Sequence, residues 1–137
     1  MSLFKVFDVS GSAMSAQTLR LNTTASNLAN AETVAGSPEE AYKARQPVFA
    51  AALKSARQLD QAVPVQVKAI IESDAKPLPM HMPGHPEADA NGYVYRSNVN
   101  TVEELVNMIS ASRSYQHNVE VMNTSKELLL QTLRLGS

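Results

Sequence analysis

The sequence predicts a mainly α protein: long N- and C-terminal helices paired as a coiled-coil-like hairpin, with a small β-hairpin and irregular insertion between them. Three observations carry that prediction. All seven Pro residues lie between Pro38 and Pro86, so residues 1–37 and 87–137 lack the strongest helix breaker. Apolar residues recur at heptad spacing in both Pro-free ends. The middle instead carries alternating apolar residues and turn signals.

The first helix is expected from Leu3 to Ala31. Phe7, Met14, Leu21 and Leu28 recur every seven residues, and Phe4, Gly11, Thr18 and Ala25 form a companion row three positions earlier. The mostly small companions would let a partner helix approach closely. Ser10 and Gly11 weaken the first turns and mark a point for a break or bend. Gly36-Ser37-Pro38 ends the helical stretch.

In the middle, Ala50 to Leu59 is read as a short helix with Val48, Phe49 and Leu53 on its apolar side. Val63 to Ala69 alternates and reads as a strand continued by Ile70-Ile71, with Pro64 placing its start at a sheet edge. Met80 to Pro86 reads as a loop. Asn91-Gly92 signals a turn before a second strand, Tyr93-Val94-Tyr95. The two strands are expected to form one small hairpin, too small to be stable alone.

The last helix starts at Thr101-Val102-Glu103-Glu104, a capping box in which Glu104 reaches back to Thr101; Asn100 is a rival cap. Its seam is read as Leu105, Met108, Ser112, Tyr115, Val119, Met122, Lys126, Leu129 and Leu133. Gly136 suits a left-handed C-cap. A helix of this length spans ~50 Å. Neither helix can hide its seam alone, so the two are expected to pack on each other, antiparallel or nearly so. The chain thus divides into an N-terminal helix (1–31), a middle insertion (32–97) and a C-terminal helix (98–137), the first and last forming one helical domain.

The totals narrow the function. A chain of 137 residues suits one modest domain. Twelve Lys and Arg against thirteen Asp and Glu leave a formal charge of −1, which argues against a nucleic-acid partner. The absence of Cys excludes disulfides, thiolate metal sites and thiol nucleophiles. No apolar run approaches the ~20 residues of a membrane span. Residues 1–9 do not read as a cleavable secretory signal.

The helix faces are short of charge. Residues 1–31 hold only Lys5, Asp8 and Arg20, against twelve Ser, Thr, Asn or Gln; residues 98–137 hold seven charges and fifteen such polar residues. Uncharged polar side chains can be buried against another protein at lower cost than charges. Either neighbouring subunits cover these faces, or the helices form an ordinary pair with a quiet surface.

No active site is visible. Met80, His81, Met82 and His85 form the one soft-ligand cluster and could suit copper, but a Pro-broken loop does not align them. His117 lies beside the seam and reads as a polar contact. Glu39-Glu40 and Glu103-Glu104 read as a solvated loop and a helix start. Asn22-Thr23-Thr24 fits a glycosylation sequon by coincidence, since it falls within the helix. The Gly-x-Ser-x-Gly elbow, the phosphate-binding Gly loop and His-Glu-x-x-His are all missing. No catalytic residue, metal or cofactor is assigned.

Specific residues carry a resemblance. Residues 12–31 read SAMSAQTLRLNTTASNLANA, in which an Ala-Ser-Asn-Leu-Ala-Asn-Ala core follows Arg-Leu-Asn. At the other end, Asn98-Val99-Asn100 precedes the run from Glu104 to Gln116, then Asn118-Val119-Glu120 and Asn123-Thr124. Between them lie Tyr42-Lys43-Ala44-Arg45 with Phe49, and the run from Pro83 to Val94. Together these resemble the flagellar axial proteins, the rod and hook family, over nearly the whole chain. Ser97 departs from the pattern, since family members often carry Pro before the Asn-Val-Asn.

The resemblance implies a structural subunit of the proximal rod, located in the basal body and exported through the flagellar type III apparatus without a cleavable signal. Implied partners are other rod subunits and copies of itself, inner-membrane ring and export-gate components, and the surrounding bushing rings. The assembly residues expected on this reading are Phe7, Met14, Leu21 and Leu28 with Leu105, Met108, Tyr115, Val119, Met122 and Leu129, together with Asn22, Asn27, Asn30, Arg113, Asn118 and Asn123. Rival readings are a small periplasmic metal-binding module built on the Met/His loop, and a flagellar export adaptor.

Overall fold

The computed structural model describes residues 2–52 and 62–136. Helix α1 runs over Leu3–Asn30 without interruption at Ser10 and Gly11, and Ser2 caps it by accepting the Lys5 N–H. Helix α2 runs over Thr101–Leu135. The helices pack antiparallel: Asn27 meets Glu104, Arg20 meets Asn107, and Gly11 lies against Met122. Two long helices joined through a small antiparallel β insertion are therefore as expected.

Asn100, the rival cap, starts α2. Its Oδ1 accepts the N–H groups of Val102 and Glu103 at 3.1 and 3.3 Å. The Thr101–Glu104 box does not form, because Glu104 turns inward between the helices and is 4% exposed. Gly136 is right-handed at φ −87°, so the expected left-handed cap is not used.

The seam is displaced by half a row. Met108, Tyr115, Met122 and Leu129 are half-buried as expected, but the companion row is Glu104, Ala111, Asn118 and Ser125. Leu105 and Lys126 are exposed, while Ser112 and Val119 flank the seam half-buried. Helix α1 shifts in the same sense. Phe7, Met14, Leu21 and Leu28 are half-buried, yet their companions are Ser10, Gln17, Thr24 and Ala31, and Phe4, Thr18 and Ala25 are exposed. The buried companions are polar or small, so the backbones approach closely and polar side chains meet polar side chains.

The insertion is not one hairpin. Strands β1 (Val34–Ala35), β5 (Tyr93–Arg96) and β4 (Leu78–His81) form an antiparallel sheet in the order β1-β5-β4. Strands β2 (Arg45–Ala51) and β3 (Val65–Glu72) form a separate antiparallel ribbon with an irregularity between Val48 and Phe49. Val63 and Pro64 precede β3, and the Pro64 carbonyl accepts the Ala52 N–H at 2.8 Å. The expected helix from Ala50 fails at its start, since Ala50 and Ala51 belong to β2; residues 53–59 of that reading lie outside the described residues. Met80 and His81 pair with Val94 and Tyr93, so the expected loop is confined to residues 82–86. A two-stranded ribbon has only edge strands, so Pro47 fits within β2.

The ribbon lies on α1, where the Ser12 hydroxyl accepts the Val65 N–H at 2.9 Å. The buried core is modest. Ala31, Ala44 and Val99 cluster with Tyr42 packed against them, and Val94 and Asn27 are the largest fully enclosed side chains.

Candidate functional site

An Asn carboxamide presents two donors and two acceptor positions, and at Asn27 all four are used. Asn27 is fully buried on the last turns of α1. Its Nδ2 donates to the Arg45 carbonyl at 2.8 Å and to Glu104 Oε2 at 3.1 Å. Its Oδ1 accepts the Arg45 N–H at 3.0 Å and the Tyr42 hydroxyl at 2.9 Å. Asn27 thus pairs with both backbone groups of Arg45 as a neighbouring strand would, and it draws in α2 through Glu104.

A second asparagine grips the adjacent residue from the other side. Asn98 Oδ1 accepts the Ala44 N–H at 2.7 Å, and its Nδ2 donates to the Ala75 carbonyl at 2.7 Å and the Ser73 carbonyl at 3.4 Å. The Ser73 N–H donates to the Ala44 carbonyl. The Tyr42-Lys43-Ala44-Arg45 segment is therefore clamped between the end of α1 and the entry to α2. The Tyr42 hydroxyl also lies 3.2 Å from the Ser26 hydroxyl, and the Arg45 guanidinium sits over the Tyr42 ring. Ser97 uses groups that Pro lacks: its N–H donates to the Thr33 carbonyl and its hydroxyl accepts the Val99 N–H.

Of the expected assembly residues, Asn27 is a clamp residue inside the chain. Asn30 and Asn118 are half-buried and donate to carbonyls one turn back, Ser26 and Ser114. Asn22, Arg113 and Asn123 are exposed, as is Leu105 at 49%. Glu104, expected in a capping box, Asn98, part of the family motif, and Arg20, one of three charges on the first helix, lie outside the expected assembly set. The signal was present for Asn98, two residues before the Asn100 cap; for Glu104 its acidic neighbour pointed to a solvated helix start.

The Met/His loop is locally committed. The His81 ring packs against Tyr93 at 5.0 Å, and His85 Nδ1 accepts the Glu87 N–H. Among the described residues no group of three His, Cys, Asp or Glu is placed to hold a metal ion. The turn that follows is organised by Asp89. Its carboxylate accepts the N–H groups of Tyr93 and Asn91 and the Tyr95 hydroxyl. The bond from the Tyr93 N–H, foremost, holds the Asp89 carboxyl below the ordinary carboxylate value, and the same carboxylate raises the Tyr95 phenol.

Two long antiparallel helices clamped to a β insertion define the class: a helical-hairpin protein with a small β insertion. Family models agree at both ends: "Flagella basal body rod protein" matches residues 7–36, and "Flagellar basal body rod FlgEFG protein C-terminal" matches residues 90–135. Full-length relatives carry the match across the middle. The flagellar basal-body rod protein FlgC of Yersinia enterocolitica is 50% identical, that of Salmonella typhimurium 49%, and that of Buchnera aphidicola subsp. Schizaphis graminum 42%, each alignment covering 99% of both chains. The chain belongs to the FlgC family of flagellar basal-body rod proteins.

Proposed function

We propose that this chain is a structural subunit of the flagellar basal-body rod that assembles into a tubular helical array and passes torque through many modest contacts. On this reading the exposed helix faces pack on adjacent rod subunits and other copies of the chain. The insertion reaches neighbouring rod subunits, the inner-membrane ring and export gate, or the surrounding bushing. Delivery would use the type III apparatus. Domain division follows the same logic, with residues 1–31 and 98–137 as the shared axial unit and 32–97 as the part specific to this subunit.

The observation that carries the reading is the outward face of α2. At 3.6 residues per turn, Val102, Leu105, Val106 and Ile109 fall on the side opposite the row that meets α1. They are 49–70% exposed. Such a continuous apolar face on a helix otherwise poor in charge marks a surface that a partner covers. The polar row on the inner side serves the chain's own fold, which leaves the apolar row for assembly.

Ile109→Asp tests this. The side chain is exposed, so the purified variant should keep the helix content of the parent. Cells carrying it should swim poorly and yield few basal bodies. Normal swimming with a full yield of basal bodies containing the variant would refute the proposal.

A further inference from the structure

Arg20 carries a charge that its surroundings leave uncompensated at close range. It is half-buried on α1, and a guanidinium stays ionised at any physiological pH. Its hydrogen bonds go to neutral carbonyl oxygens, Asn107 Oδ1 at 2.7 Å and Gln17 Oε1 at 3.5 Å. Among the described residues, no carboxylate lies within 4.0 Å of it. A partly desolvated charge held this way normally meets a counter-charge.

The same guanidinium lines a cleft of about 300 Å³ between α1, α2 and β2. Arg45 and Glu104 also line it, with Pro47 and Phe49 supplying apolar surface. Glu104 Oε2 is engaged by Asn27. The carboxylate partner of Arg45 is Glu72, 3.7 Å away with both side chains more than half exposed, an arrangement that contributes little and is readily exchanged. Of the charged residues lining the cleft, Arg20 and Arg45 stand against Glu104; Arg45 is already shared with Glu72 and the Tyr42 ring, so Arg20 is the guanidinium left for a further carboxylate. Its walls suit a short acidic side chain whose methylenes can lie on Phe49 and Pro47.

We propose that this cleft receives an Asp or Glu side chain from an adjacent rod subunit, with Arg20 as its principal partner and Arg45 as the second. The proposal rests on the rod-subunit reading and deepens it by naming the chemistry of one contact. Asn107 holds Arg20 in place before docking, so little rotamer freedom is lost on binding.

The test uses cells whose single copy encodes Arg20→Glu, Arg20→Gln, Arg20→Lys or Asn107→Ala, scored by swimming and basal-body yield. Charge reversal should lower basal-body yield at least about tenfold, as expected when one partner of a desolvated ion pair is lost. Arg20→Lys should retain most of the yield, and Asn107→Ala should be milder than Arg20→Gln. Motile second-site revertants of Arg20→Glu should replace an Asp or Glu, in this chain or another rod subunit, at a position outside the cleft. Circular dichroism of each purified variant monitors the fold; if Arg20→Gln loses helix, the decision passes to the revertants.

The proposal is overturned by a fully folded Arg20→Gln with parental basal-body yield. Equal losses in Asn107→Ala and Arg20→Gln also overturn it, as do revertants confined to the cleft. Failure of the broader reading looks different: the parent chain would be absent from purified basal bodies, and Ile109→Asp cells would swim normally.

Discussion

Asn27→Ala isolates the clamp. The substitution strips partners from four groups: the Arg45 N–H and carbonyl, the Tyr42 hydroxyl and the Glu104 carboxylate. Tyr42 keeps Ser26 within 3.2 Å and is counted as neutral. Each of the two backbone groups left unpaired costs about 1 kcal/mol, and a buried charged acceptor about 1.5–2 kcal/mol, for a total of about 3.5–4 kcal/mol. Against a typical total stability of about 5–15 kcal/mol, such a loss should be obvious in a urea titration of the purified chain followed by circular dichroism. Asn22→Ala is the internal control. It is the same change on the same helix at an exposed position, and its effect should stay within about 0.5 kcal/mol. Asn27→Asp should cost at least as much as Asn27→Ala, because it replaces the amide donor 3.1 Å from Glu104 with a second carboxylate oxygen. Equal urea midpoints for Asn27→Ala and Asn22→Ala would refute the account of the clamp.

Gly11→Ala should stabilise the isolated chain by up to about 1 kcal/mol, since Ala favours helix and the added Cβ meets Met122 Cε at an ordinary 3.8 Å; a lowered melting temperature would refute this. Gly92→Ala should do the opposite, losing about 1–2 kcal/mol, because φ is +80° and the new Cβ would lie 3.0 Å from Pro83 Cβ; an unchanged melting curve would count against it. The folded Asp89 carboxyl lies below its ordinary value near 3.8, so its contribution is complete above that value and is lost as pH falls through the lower folded value. Asp89→Asn should therefore narrow the stability gap between pH 5 and pH 3, measured as a difference in urea midpoint, and an unaltered gap would refute the assignment.

Much of the helical framework was legible because it rests on strong local signals. Pro placement bounded both helices, Asn100 and Gly36-Ser37-Pro38 punctuated them, and the row Phe7, Met14, Leu21 and Leu28 marked the right side of α1. The half-row error has a physical source. Counting apolar residues favours Leu105 and Val119 over Glu104 and Asn118, yet here the close approach of two backbones and the polar partner at Asn27 decided the inner row. Lys126 in the expected seam was the warning, and Ser125 takes its place. The ribbon was missed for a different reason. Ala50 and Ala51 favour helix by local propensity, and Pro47 is barred only from a central strand; in a two-stranded ribbon it sits at an edge, and pairing with β3 outweighs the propensity. The clamp was legible only as motif residues. The pairing of Asn27 with Arg45 and of Asn98 with Ala44 spans 18 and 54 positions, and no local periodicity reports such a meeting.

The two ends of the helix pair differ in kind. At one end, Asn27 and Asn98 stitch α1, α2 and the insertion together. At the other, α2 has 35 residues against 28 in α1, and residues 131–136 are all exposed, with Leu135 at 89%. The molecule therefore has a fastened head and a bare tail. An array made by repeating such a unit in one orientation is a polar filament. Its two tips present different chemistry to an incoming subunit, one offering stitched loops and strands and the other an exposed helix end that carries Leu133 and Leu135. Growth at the two tips then has no reason to proceed alike, and direction is written into the monomer before any assembly begins.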